Sequence, residues 1–273
     1  MDKLRTISKR IYGSQHGPIN SLVSTQDIGE QLKPFIFLDY FNAEIEPGFG
    51  FPMHPHSGIA TLTWQPGCDV RYQDTTGKNC TLKAGGLEWM NAGGGAWHQA
   101  SLQGKGKVTG FQLWVAMPPD VEDGPSLGQY VPPEDVPVVS IAEGEVKVFL
   151  GAFNNVSSPI TSHQDMNYYV ISLDRGQTWR YKPPVEHDVG FAFCFEGNGL
   201  IQGENTSLEL IVFEGDGDIE ISSKTDSIKV LLGTARKHPY SLILGTSSVH
   251  TNAVSLKNSL ERIRLIGASL KHA

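Results

Sequence analysis

The chain has 273 residues, 39% hydrophobic and 19% charged, which is enough apolar material for a sizeable core and unlike the composition of a disordered chain. Its 29 acidic and 22 basic residues give a net charge of −7, so it has no basic footprint for phosphate backbones and nucleic acid is not expected as a direct partner. No apolar run approaches the ~20 residues of a membrane span, and no apolar segment follows Met1-Asp2-Lys3-Leu4-Arg5. Cys68, Cys80 and Cys194 are too few and too scattered for a disulfide framework, so a cytoplasmic location and no membrane partner are expected.

In chain order, short β-branched or aromatic runs occur at 34–38, 59–64 and 110–115, each bounded by turn formers. A connector follows at 121–139, where Pro125, Pro132, Pro133 and Pro137 lie among acids. Further strand-like runs occupy 146–150, 168–173, 190–195, 208–213 and 228–232. Asp74-Thr75-Thr76-Gly77 and Glu214-Gly215-Asp216-Gly217 read as hairpin-like turns, one in each half. In the tail, Val254, Leu256, Leu260, Ile263, Leu265 and Ile266 lie among polar residues and predict one amphipathic helix. The pattern is all-β: two related β domains, 1–130 and 131–273, with a short helix at the C-terminus.

The residues that carry chemistry are histidines. His54 and His56 flank Pro55, and two residues apart in an extended segment they project to the same side. The glycine-rich stretch from Gly85 to Gly95 permits a sharp reversal that brings His98 back toward that pair. Three neutral imidazoles suit a divalent Fe, Ni, Cu or Zn ion and leave open positions for Lewis-acid or oxygen chemistry. The remaining histidines, His16, His163, His187, His238, His250 and His272, lack partners at ligand spacing and read as surface or structural residues. Gly93-Gly94-Gly95 lacks the Lys-Ser/Thr of a phosphate loop, and Glu214 to Asp218 lacks the twelfth-position glutamate and flanking helices of a calcium loop. Trp64, Trp89, Trp97 and Trp114 could line an aromatic pocket; Trp89 and Trp114 read as barrel core.

Together, His54-Pro55-His56-Ser57-Gly58, the run from Glu88 to Gly95, and His98 resemble the signature of the pirin family. Phe35-Ile36-Phe37-Leu38-Asp39, Phe111-Gln112-Leu113-Trp114-Val115 and, more weakly, Val249-His250-Thr251-Asn252 are similar to other family segments. The resemblance implies a bicupin, a double-stranded β-helix fold of two β-barrels with a metal in the N-terminal one. It implies His54, His56 and His98 as ligands, usually of iron, and an activity on a flavonol or another aromatic small molecule in the manner of quercetin dioxygenases. It also implies a fourth, glutamate ligand two residues after the third histidine. Here that position is Ala100, and the acid expected in the first cupin motif is Ala60. For catalysis, though not for fold, the two alanines favour the alternative of a non-enzymatic regulatory or interaction protein with a metal-sensing or degenerate centre. Glu88 is the candidate for the missing proton acceptor, with hydrogen-bonded structural acid as its plainer reading. Trp97 and Glu88 are expected near the pocket.

Overall fold

Alternation of side chains builds most of this chain into strands. In Val70–Asp74, Val70, Tyr72 and Asp74 are buried while Arg71 is exposed, so one face of the strand meets a core and the other meets water. Val189–Glu196 is buried nearly throughout, the pattern of a strand covered on both faces. The structure, a computed structural model, describes residues 3–46 and 48–271; His272 lies outside the described residues.

The chain forms two compact units, and each is built from two separate segments of the sequence. One comprises 1–14 with 136–237, the other 15–135 with 238–273. The expected division at residue 130 is therefore only part of the account. The first strand, Thr6–Ile11, pairs with Leu210–Glu214, and the C-terminal tail returns to the unit built by residues 15–135. Backbone pairing over some two hundred positions is invisible to composition along the chain.

Each unit has a seven-stranded and a four-stranded antiparallel sheet. In the 136–237 unit the core lies between them, with Tyr169, Ile171 and Val230 from the larger sheet against Trp179, Ile219 and Ile221 from the smaller. In the other unit Phe41, Ile45 and Val108 pack against Val70, Tyr72, Leu82 and Leu102 in the same way. This repeated architecture is the expected all-β bicupin. The 70–74 and 79–82 strands form the hairpin predicted at Asp74–Gly77. Glu214–Gly217 instead joins strands of different sheets, because Leu210–Glu214 pairs with Thr6–Ile11 and Val189–Glu196 while Ile219–Ser223 pairs with Thr178–Tyr181.

The C-terminal helix spans Ala253–Leu270 and is capped by Asn252, whose side chain accepts from the Ser255 amide at 2.9 Å. Its buried residues are Ser255, Ser259 and Ile263, while Val254, Leu260 and Leu265 are exposed. The helix is thus seated by hydroxyls as much as by the predicted apolar stripe. No described helix is long and apolar enough to cross a membrane.

Gly58 turns the chain between Gly50–His56 and Ile59–Trp64 at φ +72°, and a Cβ there would lie 1.9 Å from the Val249 carbonyl oxygen. Gly58→Ala combines an unfavourable φ with a backbone clash, so it is expected to destabilise the protein by at least ~2 kcal/mol in chemical denaturation. A smaller loss would mean that this turn yields easily.

Candidate metal centre

Register brings the three histidines together. Gly50–His56 pairs antiparallel with Ala96–Leu102 so that His54 lies opposite His98 and His56 opposite Ala96. The pairing shifts register between His98/His54 and Ala100/Phe51, which places a bulge in the Gly50–His56 strand beside the histidines, while Ala96–Leu102 stays in regular register with Val70–Asp74. The ring centroids of His54, His56 and His98 lie 4.4–5.0 Å apart, and one nitrogen from each falls within 4.8 Å of the others. His56 and His98 are buried and His54 is half-buried.

The outer nitrogens are held by the protein. His54 Nδ1 donates to the Pro52 carbonyl at 2.7 Å, and His56 Nδ1 to the Ser247 carbonyl at 2.9 Å. A carbonyl oxygen only accepts, so these contacts place the proton on Nδ1 and leave an Nε2 lone pair facing inward. His98 Nδ1 lies 3.5 Å from the Tyr72 hydroxyl, and His98 Nε2 lies 3.0 Å from His54 Nε2. His56 Nε2 is buried without a hydrogen-bond partner. Burial lowers the His56 pKa to about 4, further depressed by His54 and opposed by the Ser247 contact. Burial, then His56 and His54, holds His98 well below the ordinary imidazole range. Both rings are therefore neutral at neutral pH, as metal ligands must be. Two nitrogens about 2.1 Å from one ion at a right angle sit about 3.0 Å apart, so the His54–His98 separation and the orphaned His56 nitrogen fit a divalent metal.

The histidines border a cavity of about 270 Å³ whose walls are largely aromatic. Trp114 stacks on Phe37 with centroids 4.3 Å apart and makes a T-shaped contact with His56 at 4.9 Å. Trp114 thus lines the cavity while its partly buried ring also packs against the core cluster of Ile36, Ile59, Ala116 and Val249. Trp89 is core, and Trp64 borders the cavity. Trp97, expected near the pocket, is not among the lining residues; its indole donates to the Ile263 carbonyl of the C-terminal helix at 3.0 Å.

Glu88 lines the cavity and is almost wholly buried. Its carboxylate accepts from Thr63 Oγ1 at 2.8 Å and from the Tyr72 hydroxyl at 2.9 Å. Burial raises its pKa to about 7 and nearby Asp74 adds to the rise, while the Thr63 and Tyr72 bonds oppose it. Ala100 also faces the cavity and brings no carboxylate, and Gln99 points away to bond Gln73. Ala60 is buried outside it.

The sequence reading missed two polar groups. Tyr72 stands within reach of Glu88, Asp74 and His98, and only the burial alternation of its strand would have signalled it. Asp39 lines the cavity between Phe37 and Phe41, has an unpartnered buried oxygen, and is pushed up to about 6, chiefly by burial. Its signal was an acid on an otherwise apolar strand face.

These carboxyls imply a pH dependence. A folded pKa raised from 4.5 to about 7 means that stability is greatest below the unfolded value and is lost as pH rises through 7. Unfolding free energy of the metal-free protein should fall by up to roughly 3 kcal/mol between pH 4.5 and 7 from Glu88, with Asp39 adding in the same direction. Glu88→Gln should flatten that slope in denaturant titrations; an unchanged slope would show that the carboxyl ionises freely.

The fold and site define a bicupin protein with a cluster of three imidazoles in one of its two barrels. A family model described as Pirin matches residues 18–115. A pirin-like protein of Caulobacter vibrioides is 30% identical over 74% of this chain and 76% of its own. A candidate quercetin 2,3-dioxygenase of Pseudomonas aeruginosa is 30% identical over 77% and 78%. The chain belongs to the pirin family. Among solved structures, a quercetin 2,3-dioxygenase of Acinetobacter baumannii shares the fold with a TM-score of 0.88 at 21% identity, covering 96% of this chain and 97% of that one. A bacterial pirin from Escherichia coli in complex with nickel(II) has a TM-score of 0.65 at 20% identity, covering 87% and 100%.

Proposed function

We propose that the protein is a metal-dependent oxygenase of the quercetin 2,3-dioxygenase type, acting on a flavonol or a similar aromatic small molecule. The observation that carries this reading is the convergence of three inward imidazole nitrogens at the edge of an aromatic-walled cavity. His54, His56 and His98 would hold the ion, with iron as the first choice and nickel, copper or zinc as alternatives. When bound, the ion supplies a Lewis-acid centre with open coordination positions. The name of the Pseudomonas relative supports the substrate class.

The chain's own groups then have separable tasks. Phe37 and Trp114 form a flat apolar wall that orients an aromatic ring and excludes water. Glu88, with a pKa of about 7, is the group able to take a proton from a phenolic hydroxyl near neutral pH, and the Tyr72 and Thr63 hydroxyls fix its oxygens. It would replace the carboxylate that position 100 lacks.

A second reading rests on that same alanine. Without an acid at position 100 the centre would serve a regulatory or interaction protein that responds to its metal state. Oxygen uptake with quercetin separates the two. Metal-reconstituted protein should consume oxygen and His98→Ala should not; no uptake above that control removes the dioxygenase and leaves the regulatory reading. Substoichiometric Fe, Ni, Cu and Zn after reconstitution would remove both.

A further inference from the structure

A second group of potential ligands lies away from the three histidines. Glu122 and Asp123 sit on the turn after Pro118, and His250 on the short strand Val249–His250. Glu122 and His250 are each about 1% exposed, while Asp123 opens to solvent.

Both carboxylates accept hydrogen bonds, and of this group only His250 Nδ1 is buried without a hydrogen-bond partner. The Glu122 carboxylate accepts from the Thr251 amide at 2.7 Å and the Thr251 hydroxyl at 2.8 Å. Asp123 accepts from Ser255 Oγ at 2.5 Å and Ser259 Oγ at 3.3 Å. His250 Nε2 lies 2.9 Å from Ser57 Oγ. His250 Nδ1 is left buried with no hydrogen-bond partner, 3.5 Å from Asp123 Oδ1 and 3.8 Å from Glu122 Oε1. Among the described residues, no lysine or arginine forms an ion pair with either carboxylate; Arg262 reaches only the Asp123 carbonyl, at 3.4 Å.

These separations are longer than the 2.7–3.2 Å of an N–H···O bond. Two donors about 2.1 Å from one ion in a tetrahedral arrangement stand about 3.4 Å apart; the 3.5 Å separation matches this, the 3.8 Å one lies a few tenths of an ångström beyond it, and all three ligand atoms fall within 4.8 Å of one another. Two carboxylates and one imidazole offer two negative charges to a dication, and a mixed oxygen and nitrogen set suits a first-row divalent ion. We infer that Glu122, Asp123 and His250 form a second divalent-cation site, of the Zn²⁺ or Mn²⁺ class, that ties the 118–124 turn to the start of the C-terminal helix. Its role is structural: Ser255 and Ser259 of the helix hold Asp123, and Thr251 before it holds Glu122. The inference uses none of the three histidines proposed above.

The test removes the first centre so that only the second is read. Full-length protein carrying His54→Ala and His98→Ala is stripped with chelator and titrated with Zn²⁺ by calorimetry, with circular dichroism confirming the fold. One equivalent should bind, and the melting temperature should rise with Zn²⁺. Adding Asp123→Asn, with the fold again confirmed by circular dichroism, should weaken binding at least ~10-fold. No bound equivalent in the background variant overturns the inference. So does an equivalent that binds as tightly after Asp123→Asn, which would place the ion elsewhere.

Discussion

His98→Ala is expected to weaken divalent metal binding at the three-histidine centre at least ~100-fold, because loss of even an outer partner of a ligand costs 10–100-fold and this change deletes a ligand. His98 is the residue on which the arrangement converges: it faces His54 across the strand pair, its Nε2 lies 3.0 Å from that of His54, and its ring stands 5.0 Å from that of His56. Removing it leaves two imidazoles. The side chain borders an existing cavity, so its deletion enlarges that space rather than opening a new void in the core. The fold should therefore survive, which separates lost ligation from lost structure. Competition against a chromophoric chelator is read in the Asp123→Asn background, where the second site is weakened and the difference made by His98→Ala reports on this centre. A dissociation constant within a few-fold of the parent's would show that the ion, if any, is held by other groups.

Ala100→Glu is the complementary gain. Position 100 is two residues beyond His98 on the same strand and faces the same cavity. A glutamate there would add one oxygen donor and one negative charge beside a dication otherwise held by neutral rings. A pair of opposite charges 4 Å apart is worth on the order of 4 kcal/mol at an effective dielectric constant of 20, less the cost of burying the carboxylate in the metal-free protein. The net expectation is at least ~10-fold tighter binding of Fe²⁺ or Ni²⁺. Unchanged affinity would mean that a side chain at position 100 does not reach the ion. If oxygen uptake with quercetin rises in the same variant, position 100 also limits catalysis; if binding tightens without uptake, the regulatory reading gains.

The sequence alone determined a good deal. Short alternating and fully apolar runs specified strands, because a side-chain period of two can be buried only on a sheet. His54 and His56 were legible as a pair for the same reason, and the glycines before His98 marked a reversal that could return it to them. The absence of an acid at positions 60 and 100 could be read directly. Other features depended on register and on long-range pairing. Only the antiparallel match of 50–56 with 96–102 sets His98 opposite His54. Only the fold makes Glu88 a buried carboxyl held by Tyr72 and Thr63, since burial and partners govern its pKa and neither is written locally. Trp97 meets the C-terminal helix and Trp114 meets the cavity as well as the core, because facing a cavity or a helix depends on which side of a strand is covered. His250 looked solitary in the sequence, but the return of the tail sets it beside Glu122 and Asp123, more than one hundred positions away. Residue identity and local period fixed which groups could act; the tertiary structure decided which of them meet, because distance and desolvation arise only when remote strands pack.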